Sequence, residues 1–495
     1  MPRHVLAIDL GTTATKLMIV DGDGEVVAFV ESRSELRSPA PAFAEMDAEQ
    51  WWQQVCDHVP RLLERAAVDA SDIAVVGVSG MVPTLIAVDE HGRALRPSIQ
   101  QNDARATEEI TVMRARVPDA VVRTGSEITA QSIGPKWRWL RDHEPDVASR
   151  TAAILGSYSF LVNRLTGVAA AESNWALESG LGTLAGGWDL EVLAAAGLDA
   201  ALLPAHAPPE SLVGVVSASA SIAVGLSEGT PVIAGCADHV ASAYAAGLRE
   251  PGDLLLKLGG AGDILLVVDR PVVDARLFLD HHPTAGRWLS NGCMASSGSL
   301  LRWFERELAS GTSLADLDVE AAEVGPAANG LLVLPYFLGE KTPLQDPFAR
   351  GTIAGLHLGH TRADLYRAVL ESIAFGFQHH LEVFAELDLT IGRTRVTNGG
   401  SRSQLWKQVL ADVTGLEIEA PRQHHGSCLG TALLAGGAVG LFDPSAVIDR
   451  LDDDSVTITP DPDAHDALVA HYHRWRQLEP AVRPISHDLA KELQR

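Results

Sequence analysis

Cysteine is scarce: the 495 residues contain four, Cys56, Cys236, Cys293 and Cys428. They lie far apart, with no Cys-x-x-Cys pair and no Cys/His spacing of a zinc site, so neither a disulfide framework nor a structural metal is expected. Such thiol usage points to a reducing, cytoplasmic setting. No apolar stretch of roughly 18 residues is free of charge, so no membrane helix is expected. The opening MPRHVLAIDLG puts Asp9 inside its early apolar run, unlike a secretory leader. Positive charge is also short. Lys and Arg number 39 against 64 Asp and Glu, a formal net charge of −25. That surface repels nucleic acid and anionic membranes, and neither is expected as a partner. It does not exclude an anionic nucleotide, because a Gly-rich turn binds phosphate through backbone N–H groups whatever the global charge.

What is present is ordinary globular material, 46% hydrophobic and 21% charged. The length exceeds one ordinary core, so two large domains are expected. Residues 4–10 (HVLAIDL) predict a buried strand, Gly11-Thr12-Thr13 a tight turn, 15–20 a second strand and 25–31 a third after the hairpin turn Asp21-Gly22-Asp23-Gly24. Residues 47–67 predict a helix opened by an Asp cap, 73–78 and 84–88 strands, and 463–479 a last helix. The pattern returns at 254–268 (LLLKLGGAGDILLVV), where Leu258-Gly259-Gly260-Ala261-Gly262 lies over Leu10-Gly11-Thr12-Thr13-Ala14. The repeat suggests two related α/β domains, 1–248 and 249–495, with a boundary near Arg249–Gly252.

Two carboxylates stand at turns. Asp9 ends the first strand beside a Gly/Thr turn that runs to Lys16, where it could face a metal or be a buried hydrogen-bonded Asp. Asp238, in Gly235-Cys236-Ala237-Asp238-His239, sits at a strand-to-helix junction, where it could be a cap or a base. A phosphotransferase needs one carboxylate near the metal and another near the acceptor hydroxyl.

Further motifs narrow the choice. They are Gly351-x-Ile353-x-Gly355-Leu356 followed by Asp364-Leu365-x-x-Ala368-Val369-Leu370-Glu371, the run Ser132 to Leu140 (SIGPKWRWL), Gly339-Glu340-Lys341-Thr342-Pro343, and Gly399-Gly400-Ser401-Arg402-Ser403-Gln404-Leu405-Trp406. With these, the sequence resembles the FGGY carbohydrate kinases of the actin-like ATPase superfamily, from Asp9 to about Gly440. Ile133 departs from the small residue usual in the family's first signature.

The resemblance implies two ribonuclease-H-like α/β domains facing a central cleft, with sugar mostly on the N-terminal domain and ATP mostly on the C-terminal one. It implies Asp238 as the base and Asp9 near Mg²⁺. Gly11, Thr12, Thr13 and Lys16 would approach the terminal phosphates. Gly259 and Gly260 would form a second phosphate turn, with Gly298, Arg302, Gly399, Gly400 and Gln404 in the nucleotide pocket. It also suggests a homodimer.

For the sugar, Gly80-Met81-Val82-Pro83-Thr84 aligns with the family's contact loop. Xylulokinases usually carry Met-His there and glycerol kinases Arg-Glu, whereas this chain has Val82-Pro83. The stretch Gln100 to Arg105 resembles the xylulokinase Asn-Asp-x-Arg loop, so Met81, Val82, Asn102 and Asp103 are the sugar candidates, with an Asp103–Arg105 ion pair as the structural alternative. The second phosphate turn lacks two hydroxyls usual in the family. The expectation is therefore an ATP- and Mg²⁺-dependent, xylulokinase-like pentulose kinase. A kinase for a short polyol or tetrulose is one rival, and a weakly catalytic nucleotide- or sugar-binding protein the other. His281-His282 and His424-His425 are expected to be solvent-exposed, Cys236 a packing residue, and one of Trp51-Trp52 a core residue.

Overall fold

In the computed structural model, which describes residues 3–40, 42–422, 426–452 and 454–492, Val5 to Leu10 are buried without interruption. A strand apolar on both faces belongs inside a sheet covered on both sides. This strand, β1 (His4–Leu10), pairs antiparallel with β2 (Ala14–Val20), which pairs with β3 (Val26–Arg33). On its other side β1 pairs in parallel with β4 (Ile73–Gly80). With β5 (Leu212–Val215), β6 (Pro231–Ile233) and β7 (Cys236–Ala237) the order is β5-β6-β4-β1-β2-β3, and β7 also pairs with β4. The outer β3 alternates between buried and exposed residues, as a strand with one solvated face should.

A second sheet repeats this plan. Strands β8 (Leu254–Leu258), β9 (Gly262–Val268), β10 (Trp288–Met294), β11 (Thr394–Thr397), β12 (Ile418–Pro421) and β13 (Ser455–Ile458) lie in the order β10-β9-β8-β11-β12-β13, with the strand Phe278–His281 added beyond β10. In both sheets an antiparallel hairpin joins two parallel strands and then an antiparallel one: β1/β2, β4, β6 and β5 in the first, β8/β9, β11, β12 and β13 in the second. The approximate repeat at 254–268 is thus a repeat of topology, and each half is a ribonuclease-H-like α/β unit. The first compact unit comprises Met1–Gly247, Asp269–Leu289 and His425–Arg450; the second comprises Leu248–Val268, Ser290–His424 and Leu451–Arg495.

In the first unit, α1 (Ala48–Ala66) is capped by Asp47, which accepts from the Glu49 N–H at 3.0 Å. Trp51 is fully buried, while Trp52 is half-buried under the Arg164 guanidinium, 4.8 Å from its ring. Two short helices, α2 (Ser173–Glu178) and α3 (Asp238–Ala245), carry polar residues considered below. The helix Gly426–Ala438 packs on α3, β1 and β4. It approaches so closely that a Cβ on Gly430 would lie 1.8 Å from the Ala241 carbonyl oxygen.

In the second unit, α4 (Gly298–Glu307) follows β10, and α5 (Arg362–Glu386) starts in a capping box. The Asp364 carboxylate accepts from both the N–H and the hydroxyl of Thr361 at 2.7 Å, so this signature Asp builds a helix start. The last helix, Pro462–Glu492, outruns the expected 463–479. It runs on through Pro480 and Pro484, each of which lacks a backbone donor and crowds the preceding turn, and it is anchored before them. His471 and Trp475 are bonded to the carbonyls of Leu331 (2.8 Å) and Val333 (2.7 Å).

Two expectations on histidines change. His282 is 4% exposed, its Nδ1 accepting from the Thr284 N–H, and the half-buried His281 ring packs on Trp288 with centroids 4.1 Å apart. Both flank the end of the strand Phe278–His281, whose partners bury what composition alone suggested was loop. His424 and His425 lie outside the described residues.

Candidate active site

Asp9 and Asp238 are brought to one region of the first unit by strand β4. In the parallel registers, β1 sets Asp9 opposite Ser79 and β7 sets Cys236 opposite the same Ser79. Asp238 follows β7 directly and opens α3. Neighbouring strands lie about 4.8 Å apart, so the two carboxylates leave one sheet edge from strands on either side of β4. The N-cap position of that helix is Ala237, so Asp238 is its first residue; its side chain is 31% exposed.

The Asp9 carboxylate is buried. Oδ1 accepts from the Ser79 hydroxyl at 2.8 Å, and Oδ2 lies 3.4 Å from Lys16 Nζ. Lys16 faces Asp9 across the β1–β2 hairpin, and its pKa is raised chiefly by Asp9, against desolvation, with a smaller contribution from Asp238. The turn is closed by Gly11 N–H donating to the Ala14 carbonyl at 3.0 Å, leaving Thr13 exposed and Thr12 half-buried beside Met81 Sδ. One buried carboxylate with hydroxyls around it is a hard-oxygen donor set that fits Mg²⁺, which takes one or two carboxylates and completes its shell with phosphate and water.

Met81 and Val82 are buried, at 2% and 6% exposed. The Met81 N–H donates to Leu10 (3.1 Å), and its carbonyl accepts from Ser157 Oγ (2.7 Å). Asn102 is exposed, whereas Asp103 is buried and committed. Asp103 Oδ1 accepts from the N–H (3.1 Å) and Nε (2.9 Å) of Arg105, and Oδ2 from the other guanidinium arm (2.7 Å) and from the Ala44 N–H (2.6 Å). These four donors occupy the roughly four acceptor positions of a carboxylate. Arg105 also pairs with Glu45 and lies 3.8 Å over Phe43. The buried Lys136 of the first signature donates to the Gln100 carbonyl at 2.7 Å, bracing the same loop.

In the second unit the turn after β8 meets the start of α4. The N–H groups of Ser297 and Ser299 donate to Gly260 O (2.9 and 3.0 Å), and that of Gly298 to Gly259 O (2.8 Å). A Cβ on Gly298 would lie 2.7 Å from that carbonyl oxygen, so the contact requires glycine. The hydroxyls of Ser296, Ser297 and Ser299 have no hydrogen-bond partner, and Ser296 and Ser297 are buried. Arg302 is exposed one turn further along α4. Parallel pairing of β8 with β11 brings Gly399 and Gly400 to the same sheet end, and Gln404 opens α6 (Gln404–Thr414) with its side chain exposed. Glu340 of the signature loop accepts from the N–H groups of Ala295 and Lys341, bracing the segment that leads into α4.

Several polar residues of this region escaped the sequence reading. Ser79 ends an apolar run and gains meaning only from its register with Asp9. Glu178 and Asp280 surround His239, from helix α2 and the strand Phe278–His281. They lie 61 and 41 residues from it, so no local spacing signals them. The serines at 296–299 could have been found as hydroxyls next to a turn lacking its own. Cys236 is fully buried and its thiol is pushed well up by burial, which suits a packing role.

The comparisons with known proteins agree with this architecture. The model of the FGGY family of carbohydrate kinases, N-terminal domain, matches residues 4–245, and that of the C-terminal domain matches 258–439. A xylulose kinase from Bacillus subtilis (strain 168) is 30% identical over 89% of this chain and 89% of its own length. A gluconokinase of the same strain is 28% identical over 90% and 89%. The crystal structure of a xylulose kinase from Rhodospirillum rubrum, 38% identical, covers 98% of this chain and 100% of its own with a TM-score of 0.89. The chain therefore belongs to the FGGY family of carbohydrate kinases, enzymes that move a phosphoryl group from ATP to a sugar.

Proposed function

We propose that this chain phosphorylates a pentulose of the xylulose type, in the reaction sugar + ATP to sugar phosphate + ADP, with Mg²⁺ as cofactor. The observation that carries the reading is the pairing of Asp9 and Asp238 on either side of Ser79 at one sheet edge. The xylulose kinases among the relatives support the substrate class.

In this reading the 31% exposed carboxylate of Asp238 takes the proton of the acceptor hydroxyl as its oxygen bonds to the γ-phosphorus. The bond from the γ-phosphorus to ADP breaks in the same displacement. Asp9 holds Mg²⁺, which when bound neutralises phosphate charge. Lys16 adds positive charge, and Gly11, Thr12 and Thr13 offer backbone and hydroxyl donors to the terminal phosphates. Met81, Val82 and Asn102 line the sugar, and Asp103 serves that side by fixing the loop through Arg105. The nucleotide is bound in the second unit by Gly259, Gly260, Gly298, Arg302, Gly399, Gly400 and Gln404. The division of labour follows the two lobes, broadly 1–248 for sugar and 249–495 for nucleotide, with Asp269–Leu289 packing with the first. We read the enzyme as a cytoplasmic homodimer; its four unpaired cysteines accord with a reducing compartment.

A second reading, a kinase for an aldonate, is favoured by the gluconokinase relative. A coupled ADP-release screen over pentuloses, tetruloses, polyols and D-gluconate decides between them. Turnover on gluconate alone overturns the pentulose reading, and turnover on none of the panel overturns both.

A further inference from the structure

Among the described residues, one group of side chains has the composition of a metal or proton-sharing site: Glu178, His239 and Asp280. They come from the end of α2, the second position of α3 and the strand Phe278–His281, all within the first unit. His239 Nε2 lies 3.0 Å from Asp280 Oδ2 and 3.6 Å from Glu178 Oε1, while Nδ1 faces Asp238 Oδ1 at 3.5 Å. The side chains of Glu178 and Asp280 are 7% and 0% exposed, and that of His239 16%.

Two buried carboxyl groups side by side cannot both ionise without a cation to compensate. An imidazolium at His239 supplies one positive charge, enough for one carboxylate, and the other carboxyl keeps its proton. The shifts agree in direction. Burial pulls His239 down, but Asp280 and then Glu178 outweigh it and hold the ring well above its ordinary value. Burial, then Asp280, pushes Glu178 well up. Among the described residues, the charged groups that act most on the ring are these two and Asp238. Glu172 accepts from the Tyr158 hydroxyl at 2.7 Å, feels the Asp280 charge and is itself pushed up to about 7 by burial.

We propose that His239 is the positioning residue of Asp238: the buried acid pair Glu178–Asp280 fixes the ring through Nε2, and the Nδ1 side holds Asp238 Oδ1, so that Oδ2 receives the substrate's proton. The step is a plain proton transfer, from the sugar hydroxyl to Oδ2, concurrent with attack of that oxygen on phosphorus. The proposal rests on Asp238 being the base. It assigns the histidine a role distinct from touching sugar.

The test uses the full-length enzyme with ATP and its best sugar, over pH 5 to 9, for Asp238→Asn, His239→Asn, Asp280→Asn and Glu178→Gln, with metal content of the purified enzyme measured in parallel. Loss of the neighbouring positive charge should raise the acid limb of the kcat profile in His239→Asn by about one pH unit; in Asp280→Asn, where Glu178 can ionise in its place, the shift should be smaller. Their kcat should fall about 10- to 100-fold with KM for ATP unchanged. Glu178→Gln, which alters the more distant of the two acids, 3.6 Å against 3.0 Å from Nε2, should lose less than Asp280→Asn. If Asp280→Asn does not fold, His239→Gln joins His239→Asn in carrying the test. An unmoved acid limb with the whole loss in sugar KM makes His239 a sugar contact and overturns the proposal. Stoichiometric bound transition metal, with activity lost on chelation, makes the cluster a metal site and overturns it too. Near-normal turnover of Asp238→Asn removes the base reading itself, an outcome distinguishable from both.

Discussion

The two leading hairpins carry the same cross-strand ion pair with its charges exchanged. In the first unit Asp9 on β1 faces Lys16 on β2, and in the second Lys257 on β8 faces Asp263 on β9 at 3.0 Å. The first turn spans four residues between Leu10 and Thr15, the second three between Leu258 and Gly262. Otherwise the order of the inner strands coincides, and the second sheet carries one further strand, Phe278–His281, beyond β10. One plan therefore presents an acid at the end of one inner strand and a base at the end of the other. The backbone of a hairpin places a side chain; which charge it bears decides whether that position suits a metal or a phosphate.

The largest expected effect belongs to the first unit alone. Asp238→Asn keeps the shape but not the basicity, and should cut kcat ~10²–10⁴-fold while ATP affinity stays near wild type. Near-normal turnover would move the base elsewhere and dissolve the contrast between the units. Asp9→Ala should raise the Mg²⁺ concentration for half-maximal rate at least about 10-fold. An unchanged Mg²⁺ titration would leave Asp9 a structural acceptor for Ser79 and Lys16, no different in kind from Asp263 opposite Lys257.

Substrate choice tests the buried Val82-Pro83 pair. A hydroxyl left unpaired there costs ~1–3 kcal/mol. D-Xylulose should then fall roughly 10-fold below the best sugar of a panel of L-xylulose, the ribuloses, erythrulose and erythritol. If D-xylulose is the best substrate, the missing contact is supplied elsewhere in the pocket.

A smaller effect probes the second unit. Its turn lacks hydroxyls, but Ser297 brings a buried, unpartnered one to the start of α4. Ser297→Ala should raise KM for ATP about 3- to 10-fold with kcat nearly unchanged, the worth of one hydrogen bond. A loss confined to kcat would place Ser297 in the chemistry instead.

The last effect is on stability and leaves activity aside. Glu340 is pushed up to about 7 by burial, against hydrogen bonds from the N–H groups of Ala295 and Lys341. The free carboxyl titrates near 4.5, so the folded state holds a proton that the unfolded chain releases. That contribution is fully present below about 4.5 and is lost as pH rises through 7. Both N–H groups donate to Oε1, which Gln retains. Glu340→Gln should therefore gain at most about 3 kcal/mol over wild type at pH 8 and nothing at pH 5, read from melting curves. Equal curves at both pH values would mean Glu340 ionises freely.

Much of this was legible in the chain itself, because it rests on local pattern. The strands 4–10 and 73–78, the Asp47 cap, the Gly turns and the duplicated hairpin all follow from periodicity and turn chemistry, which act over a few residues. Charge deficit and thiol spacing framed the partners, and the ordered motifs carried the family. What remained depended on residues meeting across long separations. The sequence shows Asp9 and Asp238 as two isolated turn carboxylates; parallel pairing on both sides of β4 makes them neighbours. Asp103 reads as an open acid until Arg105 and the Ala44 N–H fill its oxygens. His239 reads as an unremarkable helix residue until Glu178 and Asp280 close around it. Pattern dictates which elements form, since their hydrogen bonds are local, but the charge state of a buried group depends on what the fold packs within about 4 Å of it, and only the tertiary structure decides that.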